Sequence, residues 1–129
     1  MKKYENFCNA FHNLKDIYDY NEPYTNVEMS GLVALYEICF EQAWKAMKEI
    51  LEQQGFAEER TGSPKIVLKT AFAAGMIGDE ELWMTALNAR NNVTHSYNKE
   101  IALDIINQTK DKFYQMFEAL KIEIDTKWL

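Results

Sequence analysis

Arg90 and His95 fall within six consecutive positions of Arg90-Asn91-Asn92-Val93-Thr94-His95-Ser96-Tyr97. The chain has only two arginines, Arg60 and Arg90, and two histidines, His12 and His95, so this short segment holds one of each. A guanidinium and an imidazole held close together can do phosphodiester chemistry. The guanidinium is a permanent planar cation that forks onto phosphate oxygens. The imidazole gives or takes a proton near neutral pH. The same residues also have an ordinary structural reading. An arginine near a helix C-terminus complements the helix dipole, and a turn rich in Asn and Thr is common loop chemistry.

Helices must position this segment, because helical periodicity runs almost throughout and strand alternation is absent. A first helix is expected over 3–20, with Tyr4, Phe7, Phe11, Leu14 and Tyr18 on one apolar stripe. Asn21-Glu22-Pro23 ends it, since the residue before proline avoids helix. Thr25-Asn26-Val27-Glu28 reads as a capping box that opens a second helix, running to Gln54 with Gly55 as its stop. Its stripe is Leu32, Leu35, Tyr36, Cys39, Phe40, Ala43, Met47 and Ile50. A loop at Glu58-Glu59-Arg60-Thr61-Gly62 follows, and Ser63-Pro64 starts a short third helix carrying Val67, Leu68, Ala71 and Phe72. Gly75 and Gly78 bracket a turn. Asp79 caps a fourth helix in which Leu82, Trp83, Ala86 and Leu87 face inward and Arg90 lies near the end. A fifth helix over 98–122 has Ala102, Ile105, Thr109, Phe113, Met116 and Leu120 as its stripe, widened by Ile106 and Phe117. The expectation is an all-α, up-and-down bundle of about five helices, forming one domain over residues 1–129.

Bulk composition narrows the function. At 129 residues and 47% hydrophobic, the chain can bury a core without disulfide or metal staples. The net charge of −6 argues against a protein that coats nucleic acid electrostatically, though a local cationic cleft remains open. Cys8 and Cys39 lie on apolar stripes and read as reduced core thiols. The N-terminal residues are polar, with no signal-peptide stretch, and Glu37 and Glu41 interrupt the most apolar segment. A cytoplasmic protein without membrane attachment is expected. Neither Glu-x-x-His nor His-Glu-x-x-His occurs, and there is no Gly-rich phosphate loop, so no metal or cofactor is expected. His12, one turn from Cys8, reads as a surface or interface histidine. Glu49, Glu52, Glu58 and Glu59 read as a solvated face. Trp44 and Trp83 suit core or interface anchors, and Trp128 is either loose or docked on a partner.

The segment from Arg90 to Tyr97 resembles the Arg-x4-His-x-Tyr signature of the HEPN superfamily, with the polar Asn91 directly after the arginine. Other pieces agree in order and spacing: Phe40-Glu41, Trp44-Lys45, Ser63-Pro64, Ala71-Phe72, Gly75-Met76-Ile77, Asp79 and Trp83. Together they resemble the nucleotidyltransferase substrate-binding proteins, HepT-like partners of minimal nucleotidyltransferases. The resemblance implies a homodimeric HEPN-like bundle that works beside a separately encoded minimal nucleotidyltransferase, in a two-component, toxin–antitoxin type of system.

In toxin relatives the Arg-x4-His pair cleaves RNA without metal. Carried over, His95 is the general acid or base, Arg90 stabilises charge on phosphorus, and Asn91 orients phosphate or imidazole. This segment supplies one histidine per chain, which leaves the second proton-transfer group to a second copy. The resemblance also marks Tyr97 as an acceptor for adenylylation by the transferase, against its plain reading as a core or interface aromatic. The rival to an RNase is a non-catalytic helical subunit that only completes the substrate site of the transferase.

Overall fold

Thr25 and Glu28 close a reciprocal capping box: the Glu28 amide donates to Thr25 Oγ1 at 3.1 Å, and the Thr25 amide to Glu28 Oε1 at 2.8 Å. From it rises α2 (Asn26–Gln53), the longest element of the computed structural model, which describes residues 1–56 and 62–129. Before it come α1 (Lys2–Leu14) and a 3-10 turn (Lys15–Asp19). After it come α3 (Pro64–Ala73), α4 (Glu80–Asn91), a short 3-10 turn (Val93–His95), and a last rod of α5 (Lys99–Gln108), a π turn (Thr109–Phe113) and α6 (Tyr114–Lys127). The described residues contain no strand. The expected all-α bundle is therefore borne out, with the last rod counted as the fifth helix. The expected loop at 58–62 lies, except for Gly62, outside the described residues, and so do Glu58, Glu59 and Arg60.

The stop and start signals act as expected. Gly75 ends α3 at φ +83°, where a side chain would strain the backbone, and the Met76 amide returns to the Ala71 carbonyl at 2.9 Å. Ser63, Asp79 and Asn98 accept from the first free amides of α3, α4 and α5.

Helix α2 packs against α1, α3, α4 and α5, so it forms the spine of the bundle. Its Tyr36 and Phe40 are fully buried beside Phe113 and Phe117 of the last rod. Tyr36 stacks on Phe113 at 5.2 Å, and Trp83 of α4 meets Phe117 edge-on at 5.6 Å. These contacts clamp α4, and with it Arg90, onto the spine. Burying aromatic surface of this kind is the main stabilising term available to the bundle.

Four local expectations need correcting. The first helix tightens into a 3-10 turn at Lys15, which buries Ile17 and turns Tyr18 outward, where its hydroxyl donates to the Lys110 carbonyl at 2.8 Å. Phe72 is 45% exposed, because α3 is short and buries only Val67, Leu68 and Ala71. The last rod widens into a π turn that keeps both Thr109 and Phe113 in the core, and it continues past residue 122 to Lys127. Trp128 is neither loose nor free to dock: it is buried against Phe56 at 5.4 Å, and its indole donates to Glu123 at 3.0 Å.

Candidate functional site

Arg90 sits in the last turn of α4, half-buried, and turns its side chain toward α2. Its Nε donates to Glu41 Oε1 in a close ion pair, and its Nη1 donates to Asn91 Oδ1 at 3.1 Å. Glu41 receives a second donor on its other oxygen, the Trp44 indole at 3.0 Å. Burial alone would raise the Glu41 carboxyl. The hydrogen bonds from Arg90 and Trp44, with the charges of Arg90 and Lys45, outweigh it and hold the group below its ordinary value. Glu41 is thus a carboxylate at neutral pH, and it fixes the edge-on orientation of the guanidinium. No further hydrogen bond engages Nη2 among the described residues.

Beneath this corner the hydroxyl of Tyr36 donates to the Ala86 carbonyl, one turn before Arg90. Burial pushes the Tyr36 hydroxyl far above the usual tyrosine range, with Cys39 adding to the shift, so it stays a neutral donor. The contact joins α2 to α4 at the level of the site.

The second half of the segment is built differently. Asn92 ends α4, and the chain folds into the 3-10 turn through the His95 amide on the Asn92 carbonyl at 2.9 Å. The His95 carbonyl then accepts from the Asn98 amide at 3.0 Å, which leads directly into the α5 cap. His95 is exposed, and its ring stands edge-on to Tyr97 at 6.4 Å. Tyr97 is 87% exposed. Neither side chain makes a hydrogen bond to another described residue, so the fold brings Arg90 to Asn91 and His95 to Tyr97 without a hydrogen bond between the two pairs. Glu41 is the residue for which sequence reasoning assigned no role. Its signal was present in the Phe40-Glu41 and Trp44-Lys45 pieces, three residues apart on one helix face.

Elsewhere, His12 is exposed in the last turn of α1. Cys8 and Cys39 are free thiols, and burial pushes Cys39 well above its ordinary value, leaving it unreactive. Glu49 and Glu52 are half-buried rather than a solvated face, because α1 closes over that side of α2. Among the described residues no three of His, Cys, Asp or Glu gather as a metal site, and no helix is long and apolar enough to cross a membrane.

With this geometry in view, the sequence matches the family described as nucleotidyltransferase substrate binding protein like, over residues 2–126. It is 29% identical over 85 residues to a probable ribonuclease HepT of Haemophilus influenzae, a match covering 64% of this chain. The match spans 58% of that curated relative's length. A solved Thermus thermophilus protein superposes with a TM-score of 0.78 at 26% identity, over 88% of this chain and 94% of that one. A Haemophilus influenzae structure, described as revealing the fold of a substrate binding domain of a nucleotidyltransferase, superposes with a TM-score of 0.79. Its identity is 23%, over 93% of this chain and 97% of the other, so it bears on fold alone.

Proposed function

The chain belongs to the nucleotidyltransferase substrate binding protein like family, and on that premise we propose a HepT-like subunit. It forms one domain over residues 1–129, acts as a cytoplasmic homodimer beside a separately encoded minimal nucleotidyltransferase, and cleaves RNA without metal at Arg90, Asn91 and His95. The observation that carries this reading is the complementary state of the two key side chains. Arg90 is oriented by Glu41, and His95 is open to an incoming strand.

The chemistry needs two proton transfers. His95 of one copy takes the proton of a ribose 2′-hydroxyl as that oxygen bonds to phosphorus. The bond from phosphorus to the 5′-oxygen breaks, and the leaving oxygen takes a proton from His95 of the second copy. The products are a 2′,3′-cyclic phosphate and a 5′-hydroxyl. Arg90 offers its Nη edge to the negative charge that builds on the phosphoryl oxygens, and Asn91 steadies that edge. Tyr97, whose hydroxyl is accessible, accepts AMP from ATP held by the transferase, with release of pyrophosphate. The added phosphate beside His95 then repels the RNA backbone and restrains the RNase.

A second reading has its own support. The Glu41 carboxylate neutralises Arg90, and the chain is acidic overall at −6. Both suit a non-catalytic subunit that only completes the transferase's substrate site. Inducible expression of this chain beside His95→Ala decides between them. Growth arrest and RNA cleavage that need the histidine support the RNase. Normal growth and intact RNA from soluble wild-type protein leave the binding subunit.

A further inference from the structure

A hollow of about 300 Å³ lies along α2, against the start of α1, and is lined by Lys3, Trp44, Lys45, Lys48, Glu49 and Glu52. It adjoins the Arg90 corner, because Trp44 is both a wall of the hollow and a donor to the carboxylate that holds Arg90. Positions 41, 44, 45, 48 and 52 recur at helical spacing, so one face of α2 carries the ion pair, the indole and the two lysines in a row.

The lining has three kinds of group. Trp44 is half-buried, and its bond to Glu41 fixes the plane of the ring. Three lysines face two glutamates, a positive balance in a chain of net charge −6. Lys48 lies 3.9 Å from Glu52, close enough for an ion pair and too far for a hydrogen bond. One oxygen each of Glu49 and Glu52 is shielded from solvent and has no hydrogen-bond partner among the described residues, so these carboxylates form the floor of the hollow and leave Trp44 and the lysines to meet a ligand.

Resting on the reading above that this chain acts on RNA, the geometry points to a nucleotide subsite for the substrate strand in this hollow. A base stacks on Trp44, and the adjoining phosphates meet Lys45 and Lys48. The strand then runs along α2 toward Arg90. Glu41 and Lys48 are seven residues apart, about 10 Å at 1.5 Å per residue, a step of one or two nucleotides. Aromatic platforms beside lysines bind single strands with little sequence preference.

The test uses full-length protein and a short single-stranded RNA with 2′-O-methyl riboses, which cannot be cleaved through the 2′-oxygen. Binding is read by anisotropy and by tryptophan fluorescence. Trp83 and Trp128 are buried, so quenching reports mainly on Trp44. Wild-type protein should bind with quenching, and Trp44→Ala should lose the quenching and weaken binding about tenfold. Lys45→Gln/Lys48→Gln, which keeps the indole, should weaken binding and flatten its salt dependence by about 1.4 in log–log slope. Wild-type affinity in both folded variants would overturn the subsite. No binding by the wild type, or equal quenching by a mononucleotide with no gain from the longer strand, would overturn it too. The cleavage reading fails separately, when His95→Ala leaves cellular RNA processing unchanged while the hollow still binds the strand.

Discussion

Arg90 and His95 are close in sequence, yet the fold treats them in opposite ways. Arg90 is half-buried, paired to Glu41 across two helices and seated above the Tyr36–Ala86 contact. His95 stands on a 3-10 turn held only through its backbone, exposed and without a side-chain hydrogen bond among the described residues. An anchored cation costs little entropy to present to a phosphate, because its rotamers are already restricted. On the proposed reading, a free imidazole can follow the proton it moves, and a second copy of the chain can reach it. The same reading separates a part that is both structural and chemical from a part that is chemical alone.

This separation predicts four outcomes. The largest is His95→Ala, which should lower RNA cleavage by roughly 100- to 10,000-fold. Its thermal midpoint should stay within the change of about 0.5 kcal/mol expected of a surface substitution. A clear drop in stability would mean that His95 has a packing role its exposure does not suggest. Next comes Arg90→Lys, which keeps the charge and loses the fork. Cleavage should fall by about tenfold or more, since one ammonium cannot hold Glu41 and reach phosphate together. Equal activity would place the chemistry elsewhere than on the guanidinium edge.

Glu41→Gln tests the anchor itself. It should destabilise the protein by on the order of 1 kcal/mol, read as a lower midpoint in urea. Because the Glu41 carboxyl is held below its ordinary 4.5, its stabilisation is complete above that pH. That stabilisation is lost as pH falls through the depressed value. The gap between wild type and Glu41→Gln should therefore close as the pH falls through the depressed value, and a gap that never narrows along the acid limb would remove the ion pair as its cause. The smallest stability effect belongs to Tyr97→Phe, within about 0.5 kcal/mol. Incubation with the partner transferase and ATP should add mass to the wild type and none to this variant. Equal labelling of both would move the acceptor away from Tyr97.

Much of the bundle is readable in the chain because its signals are local. Thr25, Ser63, Asp79 and Asn98 each sit one residue before an apolar-periodic run, and each caps its helix through its own side chain. The buried stripe of α2 follows from spacing alone, since a helix places every third or fourth residue on one face. Tyr18 and Phe72 departed from this pattern where the backbone changed pitch or ended, which periodicity does not register. The π turn at Thr109–Phe113 was hidden for the same reason. There, the Lys110 ammonium reaches the Tyr20 carbonyl at 2.5 Å and the Tyr24 hydroxyl at 2.8 Å, contacts across about ninety positions of chain.

For the site, the amino-acid order alone determined that one arginine and one histidine share a short segment at the end of one helix and before the start of the next. Those facts need only the rules of helix ends and the chemistry of two side chains. Only tertiary structure decided that Arg90 is paired and that His95, among the described residues, is not. The deciding partner, Glu41, lies 49 positions earlier in the chain, and nothing in its own neighbourhood says which helix will pack against it. Burial of Tyr36, Trp83 and Phe117 brings α4 onto α2 and closes that distance, because helices pair to remove apolar surface from water and their charged neighbours meet as a consequence.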